Sequence, residues 1–142
     1  MKLNKRVALI AAGLFALTAF ATPQFRQAIK IIGVGAAVQK FGPDMNKALN
    51  RLTKHTDTDA RYTKVVPILS VGIGRSSAIG AAQVMGPRYL VDKVKAVASP
   101  EAELFGKEIR LRALIPTSNK TISDTFETVD GVGVSGIVDL KI

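Results

Sequence analysis

The chain contains no cysteine, no tryptophan and one histidine. Without cysteine there is neither a disulfide framework nor a thiolate metal site. Aromatic residues make up only 6% of the chain, which argues against a stacking platform for single-stranded nucleic acid. The net charge is +9, but no run of five or six basic residues occurs. The charge therefore reads as weak attraction to anionic lipid headgroups or cell-wall polymers rather than as a nucleic-acid footprint. Apolar residues reach 47% of 142, enough for a core of one domain with a short appendage.

Catalytic signatures are equally sparse. No G-x-S-x-G elbow surrounds Ser76 or Ser77. Gly33-Val34-Gly35 and Gly72-Ile73-Gly74 both stop short of G-x-G-x-x-G, because Val38 and Ser77 stand where the third glycine is needed. Glu101, Glu103 and Glu108 have no opposed partner group and read as a solvated face. His55, Asp57 and Asp59 form the one cluster of metal-ligating types. They lack the glycine and terminal glutamate of an EF-hand loop and read as a polar linker. Asn119-Lys120-Thr121 has the form of a glycosylation sequon and reads as loop. No catalytic residue, cofactor or metal is expected.

What is present begins with an address. Lys2, Lys5 and Arg6 precede an apolar run from Val7 to Ala21, and Ala19-Phe20-Ala21 has the form of a cleavage site before Thr22-Pro23. As a helix the run would span about 22 Å at ~1.5 Å per residue, short of the ~30 Å bilayer core. Residues 1–21 are read as a signal peptide, or as a retained N-terminal membrane anchor. Either reading makes the protein exported: periplasmic or extracytoplasmic, or anchored to the membrane by its N-terminus.

The remainder divides into a helical region at 22–54, a polar linker at 55–63 and a β-rich module at 64–142. Phe25, Ala28, Ile29, Ile32, Ala36 and Phe41 fall on one helical face. Gly42-Pro43 is expected to end that helix, with Asp44 capping a second, shorter one that ends near Lys54. From Lys64 the pattern becomes β, and Pro67 marks an edge or a bulge. "AIGAAQVM" is a second strand. Pro87 then opens a short helix, with Leu90, Val91, Val94 and Val97 on one face. Alternation in "KEIRLRALIP" puts Ile109, Leu111, Ala113 and Ile115 on the buried side of a half-solvated strand. The closing strand around Val132 to Val138 is apolar or small on both faces and is expected to be central. The fold class is thus α+β: N-terminal helical segments, then a small, mainly antiparallel β-module with one short helix.

The succession "QVMGPRYLVDKVKAV", "AELFGKEIRLRALIP" and "VGVSGIVDLKI", over about residues 63–142, resembles the YbbR-like domain, with Glu103-Leu104-Phe105-Gly106 standing for its D-L-x-G element. The resemblance implies an extracytoplasmic β-module, often tethered by an N-terminal membrane segment and repeated in tandem; one branch of the family regulates a membrane-bound diadenylate cyclase. This chain has a single such module and an added helical region. "MNKALNRL" followed by "KVVPILSVGIG" is also similar to the lipid-binding SYLF proteins, whose glycine-rich strands follow a helix.

Two functions are compatible with these features. One is a non-catalytic exported binding, assembly or regulatory module of the bacterial cell envelope, with a protein partner or self-association. The other is binding to a lipid or anionic envelope surface through the glycine-rich segment 24–41. The expected interaction residues are Phe25, Ile29, Ile32, Gly33, Gly35 and Phe41, with the glycines permitting close helix contact.

Overall fold

The computed structural model describes residues 25–71, 77–120 and 126–140. The N-terminal address, Gly72-Ile73-Gly74, Ser76 and Thr121 lie outside the described residues. Phe25–Thr53 form helix α1, interrupted once, at Gly33 (φ 89, ψ 166). The rings of Phe25 and Phe41 meet edge-on with centroids 5.5 Å apart. Along a straight helix these residues would be about 24 Å apart. The segment before Gly33 therefore folds back along the segment after it, and glycine supplies the left-handed φ of the corner.

This division differs from the one expected. The helix runs straight through Pro43, which lies inside it with helical geometry. Proline removes one amide donor, owed to the carbonyl of Gln39, and Gln39 is solvent-exposed. Gly42 has a separate use: a Cβ there would lie 3.1 Å from the Val65 carbonyl oxygen, so the helix comes down closest onto the sheet at this point.

Strands β1 (Tyr62–Ser70) and β2 (Ala78–Gly86) form an antiparallel hairpin whose register shifts between Ile68 and Leu69. The four-residue helix α2 (Arg88–Val91) follows Pro87, as expected, and leads to β3 (Ala96–Ser99), which runs parallel to β1. After β4 (Glu101–Leu104) and β5 (Ile109–Arg112) come β6 (Ile115–Thr117) and β7 (Gly133–Val138). The main sheet has the order β6-β3-β1-β2-β7, while among the described residues β4 and β5 pair only with each other. The architecture is α+β: an N-terminal helix, a mainly antiparallel sheet and one short helix.

The helix after Pro87 is shorter than its apolar spacing implied. It stops at Val91, and Val97 belongs to β3. Leu90, Val91, Val94 and Val97 nevertheless join one cluster with Val66, Ile68, Ala82 and Val84, on one face of the sheet. The helical spacing recorded which side chains are buried together, not how far the helix extends. On the opposite face α1 packs Val38 against Val65 and Ala81, with Val34, Leu49 and Val138 around them.

The closing strand β7 is not central; it lies at the sheet edge beside β2. Its small residues are explained by close packing: a Cβ at Gly136 would meet Leu49 Cδ2 at 3.3 Å. Pro67 fits its expected position at an edge. Pairing of β1 with β3 begins at Ile68, so among the described residues the stretch from Tyr62 to Pro67 has β2 on one side and no strand on the other.

Candidate functional site

Three features compete for attention, and the first is closed. Gln83, only 1% exposed, lies at the centre of a polar network between α1 and the sheet. Its Nε2 donates to Asn46 Oδ1 (2.9 Å) and Asn50 Oδ1 (2.8 Å), and its Oε1 accepts from Ser135 Oγ (2.7 Å). Both asparagines donate to Thr63 Oγ1 at 3.0 Å, and Thr63 donates to Asp57 Oδ1 at 2.6 Å. His55 Nε2 lies 3.0 Å from the Arg61 carbonyl and 3.2 Å from Asp57. The Thr63 hydroxyl thus uses its donor and both lone pairs, and the Gln83 amide uses both of its N–H groups. A network satisfied in this way locks the helix to the sheet and offers no free valence to a substrate.

The network also decides the His55-Asp57-Asp59 cluster. His55 and Asp57 are tied into the fold, whereas Asp59 points to solvent and lies 3.8 Å from Arg88. Among the described residues no group of three or more His, Cys, Asp or Glu side chains could hold a metal ion.

The second feature is a crevice of about 490 Å³ beside the unpaired edge of β1. Lys64, Lys95, Lys120 and Asp92 line it, with Pro43 and Tyr62 among its less polar walls. Lys64 Nζ donates to the Val94 carbonyl at 2.7 Å. Burial pushes the Lys64 ammonium below its usual pKa, Lys95 adds to the effect, and Asp92 opposes it.

The third feature is an arm. Pairing runs Ala96↔Thr117, Val97↔Pro116 and Ala98↔Ile115 in the sheet, then Glu101↔Arg112 to Leu104↔Ile109 beyond it, in one frame. The Ala113 amide donates to the Pro100 carbonyl at 3.0 Å and bridges the two parts. The ribbon thus leaves the sheet at Pro100 and continues alone, with every residue from Glu101 to Arg112 exposed. This corrects the half-solvated strand expected at 109–115, since Ile109 and Leu111 are 42% and 46% exposed instead of buried. Alternation places Ala102, Leu104, Ile109 and Leu111 on one face. Glu101, Glu103, Arg110 and Arg112 occupy the other, where Arg112 and Glu101 pair at 3.0 Å. At the tip Phe105 is 73% exposed, and Phe105 (φ 53) and Lys107 (φ 88) both hold left-handed backbone conformations.

The six residues expected to form the interaction surface are dispersed. Phe25 and Phe41 are buried against each other, with Ile29 partly buried in the same cluster. Gly35 faces Ala78, with 3.6 Å between its notional Cβ and the Ala78 Cβ. Gly33 makes the corner, and a Cβ there would meet nothing within 4 Å. Ile32 points outward, beside Ile31 at 74% exposure. The sequence reading missed the arm, the crevice lysines and the network. One signal for the network was available: Asn46 and Asn50 are four apart on the helix, beside Met45 and Leu49 of the apolar stripe, and Gln83 interrupts a strand of small apolar residues.

No protein-family model, curated protein or solved structure matches this chain. No helix among the described residues is long and apolar enough to cross a membrane.

Proposed function

We propose that this chain is a non-catalytic binding and assembly module of the bacterial cell envelope, exported and tethered through its N-terminal apolar segment. The YbbR-like pattern of the second half points the same way. The observation that carries the reading is the β4–β5 arm. A two-stranded ribbon is marginal in water by itself. This one keeps an apolar face open and holds two non-glycine residues in the left-handed region at its tip. Positive φ belongs to tight hairpin turns, so the weight rests on the open apolar face, and exposed apolar strips of this kind mark interaction sites. The partner is a protein surface with a matching apolar strip, or a second copy of the chain.

Excision tests this. Because the arm continues the β3–β6 frame, replacing residues 101–112 with an Asn-Gly turn leaves the sheet pairing intact. The shortened protein should melt as cooperatively as the parent and lose its native-size complex in detergent-solubilised envelopes. An unchanged complex would refute the assignment.

A second reading rests on Ile31 and Ile32, which leave the corner of α1 apolar and exposed beside Lys30. It makes that corner a contact for an anionic lipid surface. Flotation with anionic vesicles that is abolished by Ile31→Glu, and untouched by excision of the arm, would select it.

A further inference from the structure

We propose that the crevice beside β1 is a binding site for a phosphate group carried on a small organic ligand. The crevice exists because β3 joins β1 only from Ile68, which leaves the edge from Tyr62 to Pro67 without a strand neighbour among the described residues. Three lysines and one aspartate line it, a surplus of two positive charges. A phosphate monoester carries close to two negative charges at neutral pH.

The lysines are suited to this role by chemistry and by placement. An ammonium is a compact point charge that binds phosphate without the planar geometry a carboxylate pair demands. Lys64 is already positioned, because one of its N–H bonds is spent on the Val94 carbonyl and two remain for a ligand. Burial first and Lys95 second push its pKa down, and a bound dianion would oppose both by favouring the charged form. Lys95 stands just ahead of β3 and is held there by the hydrogen bond that its backbone N–H donates to the Thr117 carbonyl at 2.8 Å. Lys120 follows β6. Three separate segments thus contribute a lysine each to the lining of one crevice.

The volume fits more than an ion. About 490 Å³ lies within the roughly 300–1,000 Å³ of small-molecule sites. Pro43 and Tyr62 supply surface for an organic portion. The Tyr62 ring is held in place by the Arg88 guanidinium, 4.7 Å from its centroid.

The test titrates the full chain with inorganic phosphate, with phenyl phosphate, and with chloride at matched ionic strength, following backbone amide shifts. Saturable shifts at Lys64, Lys95 and Lys120 are expected with both phosphates and not with chloride, and phenyl phosphate should bind severalfold more tightly. Lys95→Gln and Lys120→Gln should each weaken phosphate binding by about tenfold, as loss of one charge-assisted contact implies. Lys47→Gln, the same charge change on the exposed side of α1, should leave it unaltered. Lys95 and Lys120 are both exposed, so those variants keep their fold even if Lys64→Met does not. Non-saturable shifts, equal shifts with chloride, or equal weakening by all three glutamine variants would overturn the proposal. The arm plays no part in this test, so the result stands apart from the assembly reading.

Discussion

Gln83 and Thr63 share no hydrogen bond, yet two asparagines on α1 hydrogen-bond to both of them. Asn46 and Asn50 each accept from the Gln83 amide and each donate to the Thr63 hydroxyl. One turn of helix is thereby bolted to two neighbouring strands. Because every group is used, removal of one member strands several others.

Gln83→Leu should therefore destabilise the protein by about 2–4 kcal/mol, since it leaves Asn46 Oδ1 and Asn50 Oδ1 without their partner and the Ser135 hydroxyl with only its 3.4 Å contact to the backbone carbonyl of residue 83. Thr63→Val should cost about 2–3 kcal/mol by the same logic. Urea unfolding midpoints at unchanged slope are the measurement. A neutral Gln83→Leu would mean that the network contributes nothing beyond volume.

Gly33 offers a conformational test. Its φ of 89 is strained for any other residue, although nothing lies within 4 Å of a Cβ there. Gly33→Ala should cost about 1–2 kcal/mol from backbone conformation alone. The straightened helix would also pull Phe25 away from Phe41. Gly133→Ala, equally free of neighbours and without the positive φ, should be close to neutral. Paired thermal melts of the two variants separate conformation from crowding.

Lys64 predicts a pH dependence with a fixed sign. Its folded pKa lies below the ordinary 10.5, through burial first and Lys95 second, against the opposing pull of Asp92; Lys120 lines the same crevice. The unfolded chain therefore holds a proton over a range where the folded chain has released it. A lowered lysine pKa is a penalty paid in full below the folded value and relieved as pH climbs to the unfolded one. Stability contributed by Lys64 should rise with pH toward 10.5, and Lys64→Met should lack that rise. The measurement is the difference between the two proteins' urea midpoints across that window. A difference that is flat or falls with pH contradicts the assignment.

The ion pair on the arm should matter little. Glu101 and Arg112 are both substantially exposed, so Arg112→Gln should change stability by less than about 0.5 kcal/mol. A circular dichroism melt is sufficient to check this.

The sequence made the broad architecture legible because period and breaker signals are local. The strand pattern of 78–86, the helical turn after Pro87 and the edge signal of Pro67 all have causes within a few residues. The break in α1 was misplaced because Gly33 and Gly42-Pro43 both look like terminators. Only packing decides between them: Phe25 on Phe41 demands a reversal at Gly33, and Gly42 is required for contact with β1. The edge position of β7 was hidden because small residues accommodating Leu49 resemble those of a doubly covered strand. The arm was illegible for the converse reason. Its apolar alternation is that of a buried face, and the pattern carries no record that the ribbon has left the sheet. The crevice depends on three lysines from separate segments, which no spacing rule joins.

The arm as recognition element is probed by a photo-crosslinking residue in place of Phe105, in the full chain and in intact cells. One discrete adduct is expected from position 105, none from position 47 on α1, and loss of the adduct when Leu104 and Leu111 are both changed to Glu. No adduct at 105, or one that survives both glutamates, would contradict it.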